Sequence, residues 1–517
     1  MSAAPDVRLA ELVGALSLAT DLGMGQPLEQ ALRTCLLATR LGEEAGLGAD
    51  DLGSVYYGAL LRYVGCTADA HEAAALFGDE IAARAAFAPL DPGRPREMVA
   101  WLARHAGAGR PPPVRLGLLA TALAAGSRGP REAFRAHCEV AQRLAERLGL
   151  GAGVRRALGH AFERWDGSGV PAGLRGEAVA VAARVTALAR DAEVIARLEG
   201  PGSALGTVRA RAGSAYDPAL ASLFAERGAE LLRSIDEDGS WQALARAEPE
   251  PPRLVPEDGL DGVCAVMADF ADLASPYTVG HSAGVADLAE AAGWRSGLPS
   301  DEVAGLRRAA LLHDLGRVGV SSGIWGKPGP LDAGQWERVR LHPYYTERIV
   351  VRVSALAALG AVAGAHHERL DGSGYPRGST GRHLGRAERL LAAADVYHAL
   401  TQRRPHRPAR APAEAAAALG DEVAEGRIDA DAAEAVLAAA GQRRERAAPP
   451  APAGLSEREL QVLGHLARGR TNRQIAGRLG ISPKTVGHHV AHVYAKIGVS
   501  TRAGATLFAA ERGLVAP

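Results

Sequence analysis

Four things are scarce in this chain of 517 residues. Cysteine occurs only four times, as Cys35, Cys66, Cys138 and Cys264, with no Cys-x-x-Cys spacing. That excludes a disulfide-stapled secreted scaffold and leads us to expect a soluble protein of the reducing cytoplasm. Aromatic residues make up only 4%. With the many Ala, Leu, Arg and Glu residues, this favours helix. No apolar run approaches the roughly 18 residues of a membrane span. No N-terminal stretch joins a basic region to a long apolar one, so neither a membrane partner nor an export signal is expected. An excess of one charge is also missing: Lys and Arg number 59, Asp and Glu 59. Only a local imbalance could draw a polyanion.

What the chain does have is His366-His367-Glu368-Arg369-Leu370-Asp371-Gly372-Ser373-Gly374-Tyr375-Pro376. Two adjacent histidines, an acid and a Gly-rich turn build a poor core. Adjacent imidazoles on a helix point about 100° apart, so they can reach two neighbouring metal ions. Gly372 and Gly374 can take positive φ, and Pro376 fixes its own φ.

The length implies about three domains. Two stretches read as linkers: 236–258, with its Pro/Glu cluster, and 441–453, a charged then Pro-rich tether. They leave blocks 1–235, 259–440 and 454–517. The first two blocks look duplicated. Leu60-Leu61-Arg62-Tyr63-Val64-Gly65 lies 251 residues before Leu311-Leu312-His313-Asp314-Leu315-Gly316. Glu163 to Pro171 lies 205 residues before Glu368 to Pro376, with seven of nine residues identical. About 46 extra residues in the first copy account for the change of offset. At the positions of His281, His313, Asp314, His366, His367 and Asp395 the first copy has Gln30, Arg62, Tyr63, Ala161, Phe162 and Arg190. Only His137, opposite His342, stays in register. A site that has lost most of its ligands does not hold a divalent ion, so the first block is expected to be non-catalytic.

In the second block the candidate ligands are His281, His313, Asp314, His342, His366, His367 and Asp395. Nitrogen and oxygen donors without thiolate suit two borderline or hard cations better than a structural zinc. Asp314 could bridge two ions through its two oxygens. Two such ions about 3.5–4 Å apart can clamp a phosphodiester and activate water.

These residues resemble the HD-GYP family of HD-domain metal-dependent phosphohydrolases. The motifs are Ser275-Pro276-Tyr277-Thr278-Val279-Gly280-His281, LLHDLGRVGV (311–320), KPGPL (327–331), His342-Pro343, HHERLDGSGYPRG (366–378) and AADVYHAL (393–400). The resemblance implies a helical bundle, two divalent ions (Fe or Mn) on the seven ligands, and hydrolysis of cyclic di-GMP. It places Asp314 and Arg317 at the chemistry, and Gly374, Tyr375 and Pro376 in a substrate-side loop. Arg404 and Arg407 fall where the family binds substrate phosphates. The chain departs from the family at Arg317, where a Lys is usual, and at His398, where a second Asp is usual. Tyr277 replaces a third-metal Glu.

Residues 454–517 carry the local imbalance, nine Lys and Arg against three acids. Ser456 to Glu459 and Thr471 to Gln474 are capping boxes, and Ser482 caps a helix with Pro483 at its first position. Two helices joined at Gly480 read as helix-turn-helix. The stretch resembles the LuxR-type DNA-binding domain, which puts 483–497 in the major groove. By that resemblance Lys484, Thr485 and Asn472 contact phosphates, and His488 carries direct readout.

The expected fold is all-α: tandem HD-GYP-like domains, the first degenerate, then a four-helix LuxR-type domain. The expected protein is a regulator, a homodimer on DNA, with cyclic di-GMP or a related phosphodiester as ligand. Two alternatives are a non-catalytic ligand sensor and a phosphohydrolase of other nucleotides.

Overall fold

The structure, a computed structural model, describes residues 6–126, 128–237, 240–441, 452–512 and 514. It is helical throughout. Among the described residues the only sheet is a two-residue pairing, Val7–Arg8 with Leu254–Val255. No helix among them is long and apolar enough to cross a membrane. Two compact units divide the chain, Met1–Leu260 and Asp261–Pro517.

The first unit centres on the helices Leu9–Gly23, Gln30–Glu44, Ala49–Leu60, Arg128–Arg147 and Val181–Glu199. The helix Gln30–Glu44 is nearly enclosed by its neighbours, burying Leu32, Cys35, Leu36, Leu37 and Leu41. The extra residues of this unit form four helices between Ala70 and Ala125. The last two, Pro95–His105 and Pro112–Ala125, bury no residue fully.

In the stretch 236–258, expected to be a linker, the described residues from 240 on fold instead. Ser240–Ala247 is a helix that buries Leu244, and Leu254–Val255 completes the short sheet. The prolines that suggested a tether occupy only positions 249, 251, 252 and 256. Upstream of them, Trp241, Leu244 and Ala245 supply an ordinary apolar helical stripe. The tether expected over 441–453 lies mostly outside the described residues.

The second unit repeats the core of the first. Its helices include His281–Arg295, Ser300–Leu312, His342–Val350, Ala357–Gly364 and Arg386–Thr401. The repeat extends to individual hydrogen bonds. Asp21 accepts from the backbone of Ala31 at 3.1 Å, and Asp272 from that of Ser282 at 2.9 Å. Glu163 accepts from Ala172 and Leu174, and Glu368 from Arg377 and Ser379. Cis bonds precede both Pro171 and Pro376. A Cβ on Gly65 would lie 2.1 Å from the His137 carbonyl oxygen, and one on Gly316 2.3 Å from that of His342. So close a crossing leaves no alternative to glycine in either copy.

The last four helices are Glu457–Ala467, Asn472–Leu479, Pro483–Ile497 and Arg502–Glu511. They close on their own core of Val462, Leu463, Leu466, Ile475, Val486, Val493 and Phe508. Both capping boxes form, Ser482 caps at Thr485, and Gly480 turns in the left-handed region at φ 66°.

Candidate metal centre

Five segments of the second unit bring the seven candidate ligands together. His281 opens its helix, and His313 and Asp314 follow the helix Ser300–Leu312 as the chain tightens into a 3-10 turn. His342 opens the helix His342–Val350, and Asp395 lies within Arg386–Thr401. His366 and His367 do not lie on a helix, as their adjacency first suggested. They occupy the turn that leaves Ala357–Gly364, with ring centroids 4.2 Å apart. All seven are buried except His367, which is partly exposed.

Three of the imidazoles are oriented by one device. The Nδ1 of His313, His342 and His366 lies 2.7, 2.6 and 2.7 Å from the carbonyl oxygen three residues earlier. A carbonyl only accepts, so each Nδ1 carries the proton and each Nε2 keeps its lone pair. The Nε2 atoms of His342 and His366 lie 3.1 Å apart, and all three sit beside Asp314. One Asp314 oxygen is 3.4 Å from His342 Nε2 and 3.7 Å from His366 Nε2. The other is 3.8 Å from His313 Nε2 and 3.9 Å from His281 Nε2. Asp395 likewise lies between His281 Nε2, at 3.1 Å, and His367 Nδ1, at 3.6 Å.

Six of the seven donors therefore fall into two groups, His342/His366/His367 and His281/His313/Asp314, with Asp395 beside His281. Within each, the ligand atoms lie within 4.8 Å of one another. His313 Nε2 is buried without a hydrogen-bond partner. A buried polar atom left so costs about 1–3 kcal/mol. A divalent cation satisfies it, and the nitrogen and oxygen set fits a borderline or hard ion.

The electrostatics keep these groups in their ligating forms. Burial pushes the Asp314 carboxyl up, but His313, Arg317 and His342 outweigh it and hold the group well below the usual range. Asp395 is held down in the same way by His281, His367 and His313. Burial lowers His281 to about 4 and His366 to about 3, so both rings are neutral at neutral pH.

Around the centre, Arg317 donates to Asp314 at 3.0 Å and stacks over Trp325 at 3.8 Å. Glu368 anchors the following loop through the backbone N–H groups of Arg377 and Ser379, both at 2.8 Å. Gly372 has φ 81°, as expected. Gly374 does not take positive φ. It is needed for space, since a Cβ there would lie 2.4 Å from the Arg369 nitrogen. Pro376 follows its cis bond, and Tyr375 faces His367 at 4.8 Å between ring centroids.

The two candidate phosphate ligands differ. Burial and the nearby Arg317 charge push Arg404 down to about 10. Its guanidinium reaches Tyr277 O and Gln402 Oε1, at the segment that leads into His281. Arg407 is tied to the end of its own helix. Its guanidinium donates to the carbonyls of Ala399, Leu400, Gln402 and Pro408. It caps the end of the helix Arg386–Thr401, whose last carbonyls have no other partner in the helix. In the C-terminal helices Lys484, Thr485 and His488 are exposed at the start of Pro483–Ile497, and Asn472 is half-buried at the start of its own helix.

The family model for the HD domain matches residues 118–220 and 265–432. The chain belongs to the HD domain family. It carries the HD-GYP form of the domain, and residues 453–509 match the model for bacterial regulatory proteins of the luxR family. This HD-GYP protein is 29% identical over 405 residues to 3′3′-cGAMP-specific phosphodiesterase 3 of Vibrio cholerae. That match covers 78% of the chain and 88% of the relative. It is 39% identical over 127 residues to a cyclic di-GMP phosphodiesterase of Thermotoga maritima, over 23% of the chain and 34% of the relative. A solved cyclic GMP-AMP specific phosphodiesterase of V. cholerae matches with a TM-score of 0.59 and 26% identity, covering 85% of this chain and 99% of the other. Its family makes the chain a metal-dependent phosphohydrolase, here joined to a DNA-binding domain.

Sequence reading of this HD-GYP domain missed the role of His398. It stands out by sequence only as a lost Asp. In the structure its Nδ1 is 2.9 Å from His281 Nδ1, so it orients that ring. Gly284 makes the space, because a Cβ there would lie 2.0 Å from His398 Nε2. In the first copy the same positions hold Gln30, Glu193 and Arg33. Glu193 receives hydrogen bonds from Gln30 at 3.4 Å and Arg33 at 3.0 Å.

Proposed function

We propose that the chain is a transcriptional regulator whose second HD-GYP copy hydrolyses a cyclic dinucleotide, cyclic di-GMP or 3′3′-cGAMP. In this reading the first copy, within 1–235, is non-catalytic. The second, within 259–440, carries the chemistry, and 454–517 binds DNA as a homodimer. The observation that carries it is the pair of donor groups joined through Asp314, with the His313 lone pair unsatisfied between them.

His281, His313, Asp314, His342, His366, His367 and Asp395 would hold two ions, Fe or Mn. When bound, such ions supply Lewis-acid polarisation of a phosphoryl oxygen and a water acidic enough to attack at neutral pH. The residues do the rest. The carbonyl-bound Nδ1 groups fix three rings, and His398 fixes His281. Arg317 holds the Asp314 carboxylate in place. Arg404 offers a guanidinium to a substrate phosphate, and the loop through Gly374, Tyr375 and Pro376 lines the substrate side. Lys484, Thr485 and Asn472 anchor DNA phosphates, while His488 reads bases.

A second reading, a ligand sensor without turnover, is favoured by Arg317. A guanidinium stays protonated and gives no proton to a leaving oxygen. The test is incubation of the Mn- or Fe-loaded protein with cyclic di-GMP and with 3′3′-cGAMP. Turnover by wild type that His313→Ala abolishes supports the enzyme. Saturable binding without turnover supports the sensor, and neither with either nucleotide overturns both.

A further inference from the structure

The second unit contains a cleft of about 570 Å³ that the roles above touch only at Arg404. On one side lies the loop that follows the helix Arg386–Thr401, with Arg403, Arg404 and Arg407. On the other lie Arg468, Arg470 and Arg478 of the luxR-type domain. No carboxylate lines it. Its size falls within the roughly 300–1,000 Å³ of small-molecule sites.

Six guanidinium groups around one cleft repel one another. Arg470 is held below its ordinary range by burial and then by Arg478, Arg468 and Arg403. Arg407 is tied to backbone carbonyls, but its charge remains. Such an array focuses a positive potential and gathers anions, and the planar guanidinium fork matches phosphate oxygens two at a time. The cleft also adjoins the segment that leads into His281. Arg404 binds the Tyr277 carbonyl, and a Cβ on Gly469 would lie 2.8 Å from Pro276. The turn between the first two helices of the DNA-binding domain thus abuts the segment leading into His281. The exposed recognition residues Lys484, Thr485 and His488 do not line the cleft.

We propose that this cleft binds the phosphates of a dinucleotide, so that the ligand of the catalytic domain and DNA compete for the arginines of the luxR-type domain. The identity of that dinucleotide rests on the function proposed above; the cleft itself does not. A dianion held against Arg470 and Arg478 lies within a Debye length, about 10 Å at 0.1 M salt, of any backbone that Asn472 contacts. It repels that backbone and withdraws the cations that would neutralise it.

The test uses the metal-loaded full chain, a labelled random-sequence duplex at low salt, and a hydrolysis-resistant phosphorothioate analogue of cyclic di-GMP. Fluorescence anisotropy should show the analogue weakening duplex binding about fivefold or more, and the duplex weakening analogue binding by the same factor. Arg403→Glu lies on the exposed rim, outside the catalytic and DNA-contacting sets. It should remove the coupling while leaving turnover unchanged, the variant's own duplex affinity without analogue being the reference for that coupling. Bound analogue with unaltered duplex affinity overturns the proposal, and so does undiminished coupling in Arg403→Glu. Inorganic pyrophosphate, which needs only the arginines, separates the two readings. If it weakens duplex binding in wild type but not in Arg403→Glu, while the analogue does not bind, the cleft stands and the cyclic dinucleotide assignment falls. If neither pyrophosphate nor the analogue affects the duplex while cyclic di-GMP is turned over, the cleft falls and the assignment stands.

Discussion

His398 and Gly284 are a matched pair, and their match explains a residue that by sequence counts only as a loss. The usual partner of a metal-binding imidazole is a carboxylate or carbonyl that accepts from its second nitrogen. Here an imidazole takes that place, 2.9 Å from His281 Nδ1. It fits only because position 284 has no side chain. Gly284→Ala should therefore displace His398 and release His281, lowering metal affinity by about 10- to 100-fold. Metal competition with a chelator reads this directly, with circular dichroism to confirm the helices; unchanged affinity would remove His398 from the positioning role. The candidate ligands could be picked out by sequence because their residue types are diagnostic, and the fold brings them together. The role of His398 was not, since it depends on a contact across 117 positions of sequence. Arg407 has contacts that its sequence position does not display either. Its type and position suited a phosphate, but the nearest acceptors were the carbonyls of its own helix end.

At the scale of elements, the far end of the loop Gly372 to Ser379 is anchored by one buried acid. Glu368 is buried and accepts from two backbone N–H groups that no strand or helix satisfies. Hydrogen bonds to a charged acceptor are worth about 1.5–3 kcal/mol each. Glu368→Gln keeps the shape but removes the charge and one acceptor. It should lower kcat/KM about tenfold or more through Tyr375, with metal content unchanged. Steady-state kinetics beside metal analysis checks this, and lost metal would place Glu368 in the centre itself. The caps of the C-terminal helices were the most legible elements, because a capping box is a local pattern and its geometry follows from four residues. Ser456→Ala should cost the luxR-type domain about 1 kcal/mol. For a domain of this size that is roughly 4–8 °C in Tm by calorimetry. The stretch 236–258 was misread because prolines mark where a helix stops, not whether the flanking chain packs.

At the scale of the whole molecule, the two copies share a frame and differ in charge chemistry. In the second copy the centre is imidazole and carboxylate. In the first, the guanidinium of Arg62 takes the place of His313 and lies 5.1 Å from the Phe162 ring and 5.7 Å from that of Tyr63. Arg190 takes the place of Asp395 and lies 5.8 Å from the Tyr63 ring. Fixed cations on aromatic faces stand where the other copy gathers metal donors, and a cation repels a second cation. Among the described residues, both groups able to hold an ion lie in the second copy. The duplication was legible from motif spacing, but this inversion of charge needed the side chains. It predicts a metal stoichiometry. The full chain should carry the ions of one centre only. His313→Ala combined with Asp314→Ala should remove all of them rather than half, as read by mass spectrometry of the digested metal. Half the metal surviving in that double variant would mean that the first copy binds ions through ligands outside the repeat.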